Sequence, residues 1–592
     1  MWRATEAIVR ADRLCRVREL SRTAHRSLLF TPVQVLKIRP ASSINRPHGP
    51  IPSTVASKSA RAFAFGSATA IIGAGAWYIY RDSEYGANDS NSIPTTSPLA
   101  SATDPDFHMP NIRGSRPAIV TEASQLRADA SAAAVSRKKD HQGRESLGFL
   151  NSEQITQILR RNEESYHVDR EQGVVRFDLV QVPSNDPIED DHSEKLLKAP
   201  QVGDKPPSGD WMFWAIYDGH FGWATSAKLR QALIGYVYSE LEAIHKATDV
   251  SLIPEAIDQA IKNSFNRLDH DITYASVEKV AKANSKQIAA QSLSPAISGS
   301  CALLSFYDSQ TQLLRVACTG DSRAVLGRRN DSGLWSATPL SIDQTGGNPD
   351  EAARIRAAHP GEDSAISGGR ILGTLEPSRA FGDADCKLSR QTSLHLEKSF
   401  FACRPSKHVH TPPYVTAEPV ITTTKIEPEK GDFVVMASDG LWEMLSNEEV
   451  VGLVGQWIEN RVSQARGGGT SQSLLSKAWA RCFPQNHQRL PVVPTSNAPI
   501  EKVPHRPGQW ELKRGHDRFV LEDENAATHL ARNALGGSEL DLMAGLLMLP
   551  TPNSRRFRDD LTITVIFFGE GNGIGQAAAV EKEGIAPIKP KL

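Results

Sequence analysis

The stretch WAIYDGHFGWAT, residues 214–225, joins an apolar run to a group of chemically active residues. Residues 214–217 have the composition of a buried strand, and the run ends directly in Asp218, Gly219 and His220. A carboxylate at a strand end usually caps a turn. An acid, a glycine backbone and an imidazole in succession also suit one half of a metal site. The choice depends on whether other carboxylates occupy similar strand ends.

Other acidic residues do occupy such positions. FVVMASDG (433–440) is an apolar strand followed by Asp439, and RDDLTITVI (558–566) places Asp559 before another strand. SNDPIEDD (184–191) adds a further acidic segment. Carboxylates that converge at one edge of a sandwich repel one another unless cations neutralise them, and oxygen ligands suit hard divalent ions. The pattern therefore predicts a site for Mg²⁺ or Mn²⁺.

Helical and strand-like segments occur in blocks rather than in strict βαβ alternation. Apolar residues recur at helical spacing over residues 229–244 and 257–268, which predicts two amphipathic helices. Strand-like runs are found at 302–307, 312–318, 323–327, 432–438 and 561–568. This order predicts an α+β fold, a β-sandwich of two antiparallel sheets flanked by helices, rather than a doubly wound parallel sheet.

Composition excludes several classes of protein. The 592 residues carry a formal net charge of −1, so the chain as a whole is not a nucleic-acid binder and no nucleic-acid partner is expected. Its six cysteines form no C-x-x-C pair, which argues against a zinc cluster and a thioredoxin-like site.

The N-terminal part of the chain differs from the rest. Residues 1–61 contain twelve Lys or Arg and three acids, as in a mitochondrial presequence, with a disordered basic tail as the alternative. Residues 62–80 are nineteen residues without a charge, close to the roughly 20 that cross a bilayer. They are a candidate transmembrane or sorting segment in the inner mitochondrial membrane, and the charge bias predicts that the bulk of the chain faces the intermembrane space. Residues 83–145 have the composition of a disordered linker.

The remaining domain is predicted to span residues 146–570, with an interruption. Six prolines fall within residues 484–507. We interpret 464–555 as an insertion with a disordered part and a helix near 524–548, and a second small domain is the alternative.

The C-terminal tail, residues 571–592, ends in Pro590, Lys591 and Leu592. This tripeptide differs from the peroxisomal S-K-L signal only in its first residue. A peroxisomal import receptor is therefore a candidate partner, and an ordinary frayed tail is the alternative.

The acidic segments and their neighbours resemble the metal-dependent protein serine/threonine phosphatases of type 2C. The motifs occur in that family's order: PIEDD (187–191), YDGHFG (217–222), SGSCALL (298–304), TGDSRAVL (319–326), SRAFGD (378–383), ASDGLWEML (437–445) and RDDLTITVI (558–566). The resemblance covers about residues 150–570. SNDPIEDD and TPPYVTAEP (411–419) are most similar to the mitochondrial pyruvate dehydrogenase phosphatase branch and its fungal relatives.

This resemblance implies a set of metal ligands. Asp218 would bridge two ions, Mg²⁺ or Mn²⁺. The carbonyl group of Gly219 and the side chain of Glu189 would hold one of them. Asp439 and Asp559 would hold the other. The ions would activate the water that attacks the phosphorus atom, and no covalent phosphoenzyme is needed.

Four further residues receive roles from the resemblance. Asp190 would orient the attacking water, and Asp321 would help to hold a third ion, with turn capping as its alternative role. His220 would protonate the leaving alkoxide, and a structural imidazole bonded to a carboxylate is its alternative role. Asn185 occupies the place of a phosphate-contacting arginine found in many family members. Because asparagine is neutral, it cannot form a bidentate charged clamp.

Together these interpretations predict a hydrolase that acts on phosphoserine and phosphothreonine of a phosphoprotein substrate, with the pyruvate dehydrogenase α subunit as a candidate. The same chemistry on intermembrane-space or peroxisomal phosphoproteins is the alternative, because the topology predicted for residues 62–80 conflicts with a matrix substrate. A pseudophosphatase that only binds is a further alternative, opposed by the presence of Asp218, Asp439 and Asp559. The predicted location is mitochondrial, with the domain in the intermembrane space or matrix, and also peroxisomal.

Overall fold

The structure is a computed structural model. It describes residues 149–201, 209–247, 253–466, 490–493 and 518–569, with the backbone of two short paired strands, Lys138–Lys139 and Glu145–Ser146. The chain divides into two units, residues 1–69 and 70–592, and every described residue lies in the second. The predicted presequence, the apolar segment 62–80, most of the linker and the tail 571–592 lie outside the described residues. Within the part that is described, no helix is both long and apolar enough to cross a membrane.

Two antiparallel sheets form the centre of the described structure. Their strands are β1 Glu163–His167, β2 Val174–Val182, β3 Asp191–Lys198, β4 Asp210–Tyr217, β5 Ala302–Asp308, β6 Leu313–Thr319, β7 Arg323–Arg329, β8 Trp335–Pro339, β9 Val420–Lys425, β10 Phe433–Ala437 and β11 Leu561–Phe568. The first sheet has the order β9-β6-β5-β4-β3, and the second has the order β8-β7-β10-β11-β2-β1. All neighbouring strands in both sheets are antiparallel. The predicted α+β sandwich is confirmed.

Helices lie outside the two sheets. They are α1 Ser152–Leu159, α2 Ala224–Ala247, α3 Pro254–His270, α4 Ser276–Ala283, α5 Lys286–Ser292, α6 Ser294–Ile297, α7 Pro349–Ala358, α8 Ala384–Lys387, α9 Arg390–Ser399, α10 Asp439–Trp442, α11 Asn447–Arg466, α12 Ala526–Ala534 and α13 Leu540–Met548. A π-helical turn, Asp271–Ala275, joins α3 to α4. The two predicted amphipathic helices fall within α2 and α3.

Strand β4 shows how the layers are built, because all eight of its residues are buried. Phe213 and Ala215 pack with apolar residues of α2 and α3. Trp214 and Ile216 point to the opposite side, as alternate residues of a strand must, and pack with residues of the second sheet such as Met436. The apolar run in the sequence is therefore a central strand covered on both faces by helices and by the other sheet.

The described parts of segment 464–555 pack into the domain. Leu490 is buried, and the backbone N–H of Trp335 in β8 donates to the carbonyl group of Pro491 at 2.8 Å. Helix α12 is buried at all nine residues and packs with the second sheet, and α13 follows it after Gly536 and Gly537. The single helix predicted near residues 524–548 is therefore two helices. The extent of an insertion stays a prediction, because residues 467–489 and 494–517 lie outside the described residues.

Candidate active site

Three aspartates from different strand ends meet at one edge of the sandwich. Asp218 follows β4 in the first sheet, Asp439 follows β10 in the second, and Asp321 lies in the turn between β6 and β7. Each offers a carboxylate oxygen within 4.8 Å of the others. The backbone N–H of Asp439 also donates to Oδ2 of Asp218 at 3.4 Å. The acid that follows β4 therefore has carboxylate partners from both sheets.

A second group of carboxylates adjoins the first. Asp439, Glu443 and Asp559 also offer oxygen atoms within 4.8 Å of one another, so Asp439 belongs to both groups. Glu443 lies one helical turn after Asp439, and its backbone N–H donates to the Asp439 carbonyl oxygen at 2.9 Å. Arg555 forms an ion pair with Asp559 and brings a positive charge to this side of the site.

The electrostatics of the first group favour a bound cation. Burial raises the pKa of Asp218 well above its usual range, and the charges of Asp439, Asp190 and Asp321 raise it further. Burial and the charge of Asp439 raise the pKa of Asp321 to about 8. Buried acids that repel one another and offer only oxygen atoms fit a hard divalent cation, which would replace the missing solvation.

Glu189 and Gly219 lie against each other beside these groups. A Cβ atom built on Gly219 would lie 2.1 Å from the carbonyl oxygen of Glu189, so this close approach requires glycine. The Ser226 hydroxyl group donates to the same carbonyl oxygen at 2.5 Å. Burial raises the pKa of the Glu189 carboxyl group, while the charge of Arg555 opposes the rise.

The side-chain amide of Asn185 contacts carboxylates in this structure. Its Nδ2 atom donates to Oε2 of Glu189 and to Oδ2 of Asp560, both at 3.1 Å. Asp560 also accepts backbone N–H groups from Asn185 and Glu189, each at 2.9 Å. The predicted phosphate contact of Asn185 stays a prediction. Asp560, which sequence reasoning left without a role, anchors the loop that carries Glu189.

Asp190 is buried, and its charge acts on Asp218. The hydroxyl group of Ser438 donates to its Oδ2 atom at 2.8 Å. Burial and the charge of Asp560 raise the pKa of Asp190 to about 8. Ser438 directly precedes Asp439. This hydrogen bond therefore holds Asp190 close to the end of β10, from which Asp439 extends.

His220 is bonded to a carboxylate that sequence reasoning missed. Its Nε2 atom lies 2.9 Å from Oδ2 of Asp383. Burial lowers the pKa of His220, but the contact with Asp383 and the charges of Asp321 and Glu189 together raise it by more, so the pKa lies above its usual value. A small three-stranded sheet of residues Gly219–His220, Gly299–Ser300 and Phe381–Gly382 brings the three motifs together.

Of the two residues that sequence reasoning missed, Glu443 and Asp383, only the first had a signal in the sequence. Glu443 follows Asp439 at a spacing of four within ASDGLWEML, which places both on one side of a helical turn. Asp383 ends the motif SRAFGD, but its partner, His220, is 163 residues away. No local pattern predicts that contact.

Residues 179–480 match the family model described as Protein phosphatase 2C. A relative from Schizosaccharomyces pombe, named a protein phosphatase 2C homolog, is 42% identical over 420 residues, which is 70% of this chain and 85% of the relative. The chain therefore belongs to the protein phosphatase 2C family. It is a metal-dependent protein serine/threonine phosphatase, as the motifs predicted.

Two further relatives carry more specific names. Mitochondrial pyruvate dehydrogenase (acetyl-transferring) phosphatase 1 of Saccharomyces cerevisiae is 40% identical over 466 residues, 76% of this chain and 79% of the relative. Mitochondrial pyruvate dehydrogenase (acetyl-transferring) phosphatase 2 of Homo sapiens is 30% identical over 493 residues, 71% of this chain and 83% of the relative. The predicted resemblance to this branch is confirmed.

Proposed function

We propose that the protein hydrolyses phosphoserine or phosphothreonine in the pyruvate dehydrogenase α subunit. The observation that carries the chemistry is the pair of adjoining carboxylate groups that share Asp439. The substrate is supported by the names of the relatives from Saccharomyces cerevisiae and Homo sapiens.

Two divalent cations, Mg²⁺ or Mn²⁺, fit these carboxylates. Asp218, Asp321 and Asp439 would hold one ion, and Asp439, Glu443 and Asp559 would hold the other. The bridging of two ions by Asp218 stays a prediction. Further oxygen donors are the Gly219 carbonyl group and Glu189, and a third ion is a further candidate. When bound, such ions supply an activated water molecule and neutralise charge on the phosphoryl oxygens.

The chain's own residues would complete the reaction. His220 would protonate the oxygen of the leaving serine or threonine. Because its Nε2 atom faces Asp383, the proton would come from Nδ1. Asp190 would orient the attacking water. Asp383 would act as a positioning residue that holds the imidazole ring.

The group that contacts phosphate needs a positive charge that Asn185 lacks. Arg555 supplies such a charge beside Asp559, and its charge opposes the rise in pKa of both Glu189 and Asp218. Arginine also offers the planar donor pair that suits phosphate. Arg555 is therefore the candidate phosphate-binding side chain alongside Asn185.

The test measures phosphate release from two phosphoserine peptides, one taken from the pyruvate dehydrogenase α subunit and one unrelated. With Mn²⁺ or Mg²⁺ the first peptide should be hydrolysed faster, and excess EDTA should stop both reactions. Asp218→Asn serves as the inactive control. Full activity in the chelator would contradict the mechanism, and equal rates on both peptides would contradict the substrate.

A mitochondrial location is part of the proposal, supported by the same two names and by the basic composition of residues 1–61. Two finer proposals are that residues 62–80 lie in the inner membrane and that residues 590–592 are a peroxisomal signal. Both segments lie outside the described residues. Protease treatment of intact mitochondria and mitoplasts tests the side of the membrane. Digestion in mitoplasts alone would favour an intermembrane-space substrate over pyruvate dehydrogenase. A fluorescent protein fused to residues 560–592 tests the peroxisomal signal.

A further inference from the structure

Phe221, the residue directly after His220, combines two unfavourable features. Its side chain is 71% exposed, although it is large and apolar. Its backbone φ is 57°, in the left-handed region that is a genuine outlier for a bulky residue. Trp223, two residues further on, is 40% exposed. Backbone strain tends to persist at functional sites, so the combination calls for an explanation.

The backbone conformation has a structural reason in the turn around Glu189. Gly222 has a φ of 124°, and its N–H donates to the Glu189 carboxylate. Positive φ values at two successive residues turn the chain back around that side chain. Glycine or asparagine would adopt this conformation at lower cost, because the Cβ clash is absent or relieved. The turn therefore explains the backbone of Phe221 but not its aromatic ring.

The ring lies beside the catalytic imidazole. The centroids of the Phe221 and His220 rings are 5.5 Å apart with an interplanar angle of 85°, an edge-to-face contact. His220 is bonded to Asp383, so its ring is fixed relative to the carboxylates. If His220 protonates the leaving serine, the residues that flank this serine pass close to Phe221. An apolar side chain at that point would cover the exposed ring.

We propose that Phe221 is a specificity-determining residue that contacts an apolar side chain next to the phosphoserine of the polypeptide substrate. This inference rests on the proposed phosphatase function. Contact with the substrate removes apolar surface of both partners from water, which favours binding. The free protein exposes the ring and lacks this favourable term.

The experiment compares phosphoserine peptides that differ at one position, with leucine or serine at each of the two positions before and after the phosphoserine. For wild-type protein, kcat/KM should be about 5- to 10-fold higher with leucine at one of these positions. Phe221→Gly and Phe221→Asn should bring this ratio to about one. Both residues adopt positive φ readily, so the turn is kept.

Phe401→Gly is the matched control. Phe401 also has a positive φ, 66°, and is 57% exposed, but it follows α9 and its neighbour Phe400 packs with α4 and α5 residues. This variant should retain the wild-type leucine-to-serine ratio. A loss of the ratio in this control would overturn the assignment, because the effect would not be specific to the site.

Other outcomes are equally decisive. An equal loss of kcat/KM on leucine and serine peptides would show that Phe221 acts only through His220, and a ratio of one in wild-type protein would show that no such contact exists. A fall in Tm for both Phe221 variants with an unchanged leucine-to-serine ratio would assign the ring to stability alone. Each result overturns the inference and leaves the proposed function standing. A different result bears on the phosphatase chemistry itself, which fails if wild-type protein with Mn²⁺ releases no phosphate from any peptide.

Discussion

At the residue scale, His220 shows how the site depends on distant parts of the chain. Its ring is bonded to Asp383, and Gly299 lies under the pair, since an added Cβ atom would come within 2.1 Å of His220 Nε2. Sequence reasoning left two roles open for this histidine, proton donor and structural imidazole. A carboxylate partner fits both, because it orients the ring and also stabilises the protonated form.

The leaving group distinguishes these two roles. His220→Ala should slow phosphoserine hydrolysis by about 10²–10⁴-fold, the usual contribution of a general acid, and Asp383→Asn should cause a smaller loss in the same direction. Both variants should affect 4-nitrophenyl phosphate much less, because 4-nitrophenolate leaves without a proton. The measurement is kcat on both substrates at saturating Mn²⁺. Equal slowing of the two substrates would favour the structural role.

Arg555 carries the second prediction at this scale. Arg555→Met should raise KM for 4-nitrophenyl phosphate and weaken inhibition by inorganic phosphate by about tenfold, because a charged hydrogen bond to phosphate is lost. Arg555→Lys should lie between wild type and Arg555→Met. The neighbouring Arg556 is exposed, so Arg556→Met is the matched control and should change neither constant. Unchanged phosphate inhibition in Arg555→Met would remove this residue from phosphate binding.

At the element scale, helix α12 is buried to a degree that its sequence does not indicate. All nine of its residues are buried, including Arg532, which donates to Asp523 at 2.6 and 2.8 Å. The N–H of Ala526 at its start donates to Oδ2 of Asp178 in β2 at 2.7 Å. The small alanine side chains of α12 allow its close approach to the sheet. In the sequence, however, alanines form no clear pattern of large apolar residues that would predict a buried helix. This helix, which lies within the segment 464–555, is therefore part of the core.

His529 in α12 gives this packing a measurable pH dependence. Burial lowers its pKa from 6.5 to about 4, so the folded protein keeps the ring neutral while the unfolded chain takes up a proton below pH 6.5. Stability from this group is complete above pH 6.5 and is lost as pH falls towards 4. From pH 7.5 to pH 5, wild-type protein should lose about 2 kcal/mol more unfolding free energy than His529→Gln. Urea unfolding measures this difference.

The range above neutral pH is the control for that measurement. Between pH 7.5 and pH 8.5 the ring is neutral in both states, so the unfolding free energies of wild type and His529→Gln should run parallel. Parallel curves between pH 7.5 and pH 5 as well would show that His529 becomes protonated in the folded state.

At the scale of the whole molecule, the sandwich assembles carboxylates that repel one another. Asp218 comes from one sheet and Asp439 from the other, and Asp559 lies next to β11, more than a hundred residues further along the chain. Folding without a cation therefore has an electrostatic cost, which apolar packing of the two sheets must exceed.

Metal binding should consequently stabilise the fold as well as support activity. Mn²⁺ at about 100 times its Kd should stabilise the folded state by about 2.7 kcal/mol, and EDTA should reverse the effect. Differential scanning fluorimetry over a Mn²⁺ series measures the shift in Tm. Asp218→Asn should lose most of this shift, whereas Asp331→Asn, in an exposed turn after β7, should retain it. An equal shift in both variants would place the ion elsewhere.

The amino-acid sequence alone was sufficient for the class of fold and pointed to four of the five carboxylates that the structure groups together. Apolar runs such as the one in β4 predicted central strands, and acids directly after them, such as Asp218 and Asp439, predicted the metal site. These signals are local, because a strand and the turn that ends it consist of adjacent residues. The order of the motifs then pointed to the family.

Only the tertiary structure decided which residues meet. Glu443 joins Asp439 and Asp559, Asp383 binds His220, and Asp560 anchors the loop that carries Glu189. These contacts depend on how two sheets pair and pack, with partners separated by more than a hundred residues in most cases. Local composition and periodicity contain no information on such pairings, because the free energy that selects them comes from burying whole sheets against each other.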